Sequence, residues 1–245
     1  MSLRVCNIVS VILLLAMPCT VFAANAVELI INTTNKAPYS SVDGGGFLDY
    51  ITQEIGRQSG SKLSIVTQPP ERGLRNANSG QIDGDLTRIN GISTIYPNLV
   101  QVKEKIIEWE FAAFSKDPKI LKSWKTAATI RIAFIKGWKI YEKKTQNKPY
   151  VRVARSPQQL FNLLKLDRAD VVLYERWQGL ALLRSMGISE RVYHELIEKK
   201  DMFLYLHEKH KEKAVTFARI LAQLKKDGVY FKKYRELLTP YLATE

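Results

Sequence analysis

The chain has 245 residues, two cysteines, a formal net charge of +13 and a pI near 9.6. That length can bury a core without covalent staples, as one large domain or two small ones. Cys6 and Cys19 both fall in the first 23 residues, so removal of that segment leaves no thiol nucleophile and no cysteine metal site.

Residues 1–23 read as an export signal. Arg4 precedes an apolar run from Val9 to Ala16, Pro18 breaks it, and Val21 and Ala23 fit cleavage before Ala24. The expected location is therefore the periplasm. The run falls short of the ~20 apolar residues that span a bilayer. The competing readings are a buried N-terminal helix or membrane anchor and, from Cys19, a lipid-anchored form, for which Pro18 is a poor preceding residue.

The mature chain alternates short apolar runs with amphipathic stretches, which predicts an α/β fold. Val27 to Asn32 is a strand; Gly44-Gly45-Gly46 makes a turn, and Leu48, Ile51 and Ile55 share one face of a helix. Lys62 to Thr67 is the next strand, followed by a short helix with Leu74 and Ala77 inward that ends at Gly80. Ile82 to Ile89 and Leu99 to Ile107 continue the series. A second copy of the rhythm starts near residue 129, with strands at Ile130 to Ile135 and Tyr150 to Ala154 around a short helix from Gly137 to Lys144. Ser156-Pro157 opens a helix with Leu160, Leu163 and Leu164 inward, and Ala169 to Tyr174 is a continuous apolar strand of the parallel kind. Met202 to Leu206 is followed by a long helix striped with Phe217, Leu221 and Leu224. Gly228 breaks it before a last helix carrying Tyr230, Tyr234 and Leu237.

Lys and Arg run along the whole chain, with modest clusters at Lys143-Lys144 and Lys209 to Lys213. Nucleic acid, an anionic membrane surface and an anionic ligand compete as partners for this charge. No zinc-finger spacing or basic–aromatic motif accompanies it, and export removes the chain from the chromosome, so nucleic acid is not expected. Most of the charge reads as solvated surface.

Four segments resemble family 3 of the bacterial extracellular solute-binding proteins. They are Gly46-Phe47-Leu48-Asp49, Ser79-Gly80-Gln81-Ile82-Asp83, Asp167-Arg168-Ala169-Asp170-Val171-Val172 and Leu224-Lys225-Lys226-Asp227-Gly228-Val229-Tyr230. The resemblance implies the type II periplasmic binding fold: two lobes, each a mixed sheet flanked by helices, joined by two hinge crossings. Lobe 1 would be discontinuous, residues 24–112 and 204–245, and lobe 2 residues 113–203. Crossings are expected near Trp109 to Phe114 and Asp201 to Leu206.

The resemblance also implies a cleft at the strand ends between the lobes, and its departures from the family pattern shape the expected site. Ile95 stands near the family's carboxylate-binding Arg, and Gly137-Trp138-Lys139 replaces Gly-Thr-Thr. Arg88, five residues after Asp83, either meets a ligand carboxylate through its planar fork or forms a structural ion pair. Arg72 either lines the cleft or pairs with Glu71 or Asp85. Trp138 either stacks on a planar or cationic ligand or packs the core. Lys139 meets an anion or is solvated; Glu175, five residues after Asp170, accepts a ligand ammonium or makes an interlobe bridge; Tyr39 lines the first loop or is a core tyrosine. Asp49, Asp83 and Asp170 read as turn and cap residues. His207 and His210, three apart, lack a third ligand, so no metal and no cofactor is expected.

The expected function is capture of a small polar, carboxylate-bearing solute, amino-acid-like or related, by hinge closure, and its delivery to an inner-membrane ABC permease by a monomer. No catalytic residue is assigned. The alternatives are a cyclic carboxylic acid dehydratase-like enzyme on the same fold, with Glu175 as its one acid–base candidate, and a ligand-sensing partner of a membrane receptor.

Overall fold

A computed structural model describes residues 27–242; the expected export segment lies outside the described residues. In chain order the elements are β1 (Val27–Thr33), α1 (Phe47–Ser59), β2 (Ser61–Thr67), α2 (Pro70–Asn78), β3 (Gly84–Ile89), β4 (Leu99–Gln101), β5 (Ile107–Ser115) and α3 (Pro118–Ser123). There follow β6 (Ile132–Ile135), α4 (Lys139–Thr145), β7 (Val151–Ala154), α5 (Pro157–Lys165), β8 (Val171–Glu175), α6 (Arg176–Ser185), β9 (Tyr193–His207), α7 (Lys211–Lys226) and α8 (Val229–Leu237).

The strands order as β2-β1-β3-β9-β5-β8-β6-β7, with β4 pairing β9 off this path. β1 runs parallel to β2 and β3, and β6 runs parallel to β7 and β8. Between these two parallel groups lies an antiparallel ribbon of β5 and β9. The C-terminal part of β9 pairs β3, and Phe111 to Phe114 of β5 pair β8. The chain therefore passes between two halves twice, once along β5 and once along β9. The expected boundaries at 112/113 and 203/204 fall inside these two strands.

Local chemistry explains several helix starts. Ser156 accepts a hydrogen bond from the Gln159 amide, with Pro157 in the first turn of α5. Every residue of β8 is buried, as a parallel strand covered on both faces requires. One face of the second half is covered by α3 and α4 around Phe111, Leu121, Trp124, Phe134 and Tyr141. On the other face Phe161 of α5 meets Phe114 edge-on, and Gly179 of α6 lies so close that a Cβ there would stand 2.5 Å from the Phe114 ring.

Four elements differ from the sequence expectation. β9 has 15 residues rather than the five from Met202 to Leu206, because its charged first part (Glu195 to Lys200) is recruited by pairing with β5. α3 has six residues, too few for periodicity, and is fixed by Asp117, whose carboxylate accepts from the Lys119 amide. α6 begins directly after β8, capped by Glu175. Only Leu99–Gln101 of the expected Leu99 to Ile107 run is a strand; beyond it Val102 and Ile106 donate to the Leu204 and Met202 carbonyls of β9.

Candidate functional site

In sheets of this kind a ligand meets groups beyond the C-terminal ends of parallel strands. The ends of β1, β3, β6 and β8 are tied to one another by side chains. Asn35, after β1, donates to Thr87 Oγ1 of β3 at 2.9 Å. Tyr39, in the same loop, donates its hydroxyl to Glu175 Oε1 at the end of β8, 2.9 Å away and in the other half. Trp138, after β6, lies 5.0 Å from the Tyr174 ring of β8.

Glu175 is fully buried. Its carboxylate accepts from the Tyr39 hydroxyl, from the Gln178 amide at 2.9 Å and, more distantly, from the Glu110 amide at 3.4 Å. Burial raises its pKa from 4.5 to about 7, and the hydrogen bonds from Gln178, Tyr39, Glu110 and Trp177 only partly offset that. Burial together with the Glu175 charge also pushes the Tyr39 hydroxyl well above its ordinary range. Gln178 strengthens the same seam: its side-chain carbonyl accepts from the Lys36 amide at 3.0 Å. The β1–α1 loop that carries Lys36 and Tyr39 is held by Asp49, whose carboxylate accepts from the Ser41 and Gly46 amides. Gly46 is required by close approach, since a Cβ there would stand 2.3 Å from the Tyr39 carbonyl oxygen.

Arg88 leaves the end of β3 and turns back. Its Nε donates to Asp85 Oδ1 at 2.6 Å, and Asp85 is completely buried and also accepts from Asn32. The turn follows from backbone geometry: Thr87 adopts φ +61° and the pairing with β9 shifts register between Asp85 and Arg88. A β-branched residue rarely takes a positive φ. Thr87 is held there by Asn35 and by its own hydroxyl, which donates to the Leu86 carbonyl. Arg88 Nη2 reaches the Pro70 carbonyl, which sets the first turn of α2, and with it the exposed Arg72, beside this strand end.

Trp138 is half-buried within an aromatic cluster. Its ring stacks on Trp109 of β5 (5.8 Å, 17°) and on Tyr141 of α4 (5.6 Å, 4°), with Phe111 edge-on. Trp109 Nε1 is buried without a hydrogen-bond partner among the described residues. Lys139 is exposed and pairs with Glu142. The structure thus joins Tyr39 to Glu175, ties Arg88 to the start of the helix that carries Arg72, and puts Trp138 against the strand that crosses between the halves. Gln178, Lys36, Trp109 and Thr87 were not singled out by sequence; only Trp109, lying in an expected crossing, carried any hint. Asp83 and Asp170 serve as ties, accepting from the Ile30 and Arg131 amides, and Asp83 also meets Lys209 and His210. A cavity of about 730 Å³ opens beside the β1–α1 loop, but it is lined by the first half alone, including Thr33, Lys36, Thr52 and Thr67.

No family model matches the chain. An uncharacterized protein of Shewanella oneidensis is 22% identical over 187 residues, covering 73% of this chain and 70% of that one. The GluR0 ligand-binding core in complex with L-glutamate superposes with a TM-score of 0.73 at 10% identity, over 87% of this chain and 99% of that one. A substrate-binding protein of an ABC uptake transporter from Streptococcus pneumoniae, with bound histidine, gives 0.70 at 13% identity, over 86% and 92%. The fold is that of the two-lobed periplasmic binding proteins. In this binding-protein frame, β1, β2 and β3 belong to the first lobe, β6, β7 and β8 to the second, and the β5–β9 ribbon joins them. Glu175 and Tyr39 then form a bridge between lobes, and Trp138 stands on the second-lobe side of it.

Proposed function

We propose that the exported chain captures a small polar, carboxylate-bearing solute between its lobes by hinge closure and delivers it, as a monomer, to an inner-membrane ABC permease. The observation that carries this reading is the linkage of four strand ends from two lobes whose parallel strand groups are joined through the β5–β9 ribbon alone. Lobes joined in this way can open and close, and a ligand that contacts both shifts the population toward the closed state. Trp138 is the stacking wall, and Arg72, which has no ion-pair partner among the described residues, is the free cation for the carboxylate. Arg88 and Lys139 stand by with partners that a ligand anion must outcompete, whereas Tyr39 and Glu175 act as the bridge that a ligand ammonium would enter.

Thermal melting against amino acids, polyamines, dicarboxylates, aromatic acids and short peptides tests the reading. A ligand at about 100 times its Kd adds ~2.7 kcal/mol, which raises the midpoint by several degrees. A shift confined to carboxylate-bearing solutes and lost in Arg72→Ala supports it. A folded, ligand-free sample that responds to nothing refutes it. Product formation from a cyclic carboxylic acid would favour the dehydratase reading, which needs substrate to reach Glu175, a carboxylate with no solvent exposure whose donors are already in place.

A further inference from the structure

The positive charge is not spread evenly over the fold. Between Lys116 and Arg155 the chain carries twelve Lys and Arg against two acids, Asp117 and Glu142. Residues 27–115 and 156–242 together carry 24 Lys and Arg against 21 Asp and Glu. One stretch of 40 residues thus holds ten of the thirteen net charges. It folds into α3, β6, α4 and β7, with α3 and α4 on the same face of the second lobe and β7 at the edge of the sheet.

Part of this charge is neutralised internally. Lys116, Lys125, Arg131, Lys139 and Lys144 pair with Asp167, Glu195, Asp170, Glu142 and Glu198. Lys148 donates to the Lys125 and Ala127 carbonyls. Lys119, Lys122, Lys136, Lys143, Arg152 and Arg155 are exposed and have no anionic partner among the described residues. Tyr150 and Val153, exposed on the same edge, add apolar surface beside them.

We propose that this α3–α4 face, bordered by the β7 edge, docks on an anionic lipid surface. Four of the six free cations are lysines, compact charges on flexible stems: Lys119 and Lys122 on α3, Lys143 on α4 and Lys136 in the β6–α4 loop, with Arg152 and Arg155 along the β7 edge, rather than converging on one point. That arrangement suits a diffuse sheet of phosphate headgroups; recognition of a single carboxylate would favour converging arginine forks. Each such cation near an anionic membrane surface strengthens binding about fivefold. The proposal holds whichever solute the cleft accepts.

The test is co-sedimentation with vesicles of phosphatidylglycerol mixed into phosphatidylcholine, against phosphatidylcholine alone, over a salt series. Lys119→Glu/Lys122→Glu/Lys143→Glu is compared with Lys211→Glu/Arg219→Glu/Lys232→Glu, which makes the same change in net charge on exposed positions of α7 and α8. All proteins carry the same N-terminus, and their melting midpoints are measured alongside; the milder Lys119→Gln/Lys143→Gln pair replaces the first variant if its midpoint falls. The expected result is salt-sensitive binding to the anionic vesicles, weakened about a hundredfold by the first variant and only a few-fold by the control. Equal weakening by both variants would reduce the effect to net charge and overturn the proposal, as would no binding at low salt. Capture of an acidic polypeptide but not of vesicles, lost in the first variant alone, would overturn it in favour of an acidic protein partner.

Discussion

Replacing Glu175 by Gln should remove a defined part of the pH dependence of folding. The carboxyl titrates near 4.5 when exposed and at about 7 in the fold, where burial disfavours its charge. A raised acid pKa means that the unfolded chain releases its proton first as pH climbs. The folded state therefore loses stability between pH 4.5 and 7, and the loss stays constant above that. Worked through the two pKa values, the wild type loses about 2.5 kcal/mol from this group between pH 5 and pH 8. For a chain of this size that corresponds to a fall in midpoint of roughly 5–10 °C. In Glu175→Gln the amide oxygen can still cap the Gln178 amide, and the Tyr39 hydroxyl can turn to accept from the new NH2 group. The substitution then imposes one pH-independent cost. Urea unfolding of both proteins from pH 5 to pH 8 measures the difference directly. Parallel stability curves would refute the argument, because they would mean that Glu175 titrates alike in the folded and unfolded chain.

Other substitutions probe the same region. Tyr39→Phe removes a donor to a buried carboxylate and should cost about 2 kcal/mol at pH 8, less at pH 5 where Glu175 keeps its proton; denaturant midpoints at the two pH values check both size and sign. Arg88→Ala leaves Asp85 buried without its cation, an expected loss of about 3 kcal/mol at neutral pH that shrinks as Asp85 is protonated in acid. Addition of Asp85→Asn to Arg88→Ala should recover part of that loss, and a double-mutant cycle reads it. Gly46→Ala forces a methyl group against the Tyr39 carbonyl and should destabilise by about 2 kcal/mol in thermal melting.

The sequence by itself determined the strands and helices that carry a period or a cap. β1, β2, β6, β7 and β8 appear where alternation or continuous apolar runs predict them, and α1, α5 and α7 follow their apolar stripes. These elements are legible because burial on one or both faces must be written in residue type. The four resemblance segments led to the two-lobed fold, although the chain shares under 20% identity with the solved structures named above.

What tertiary structure decided lies mostly in the crossing strands and in pairings over long sequence distance. The charged first part of β9 becomes strand because β5 offers a ladder, a partner some 85 residues away that no local window contains. Arg88 turns toward Asp85 because Thr87 holds a positive φ, which residue type alone argues against. Tyr39 and Glu175 lie 136 positions apart, and each alone reads equally as core or cleft. Their hydrogen bond between lobes exists only once the β5–β9 ribbon has brought the strand ends together. The excess of lysine and arginine over residues 116–155 is visible in one dimension; the packing of α3 and α4 on the same side of a sheet decides that part of it becomes a face. Periodicity reports how each segment meets its own core, whereas a site and a charged face are sums over segments whose relative placement only packing fixes.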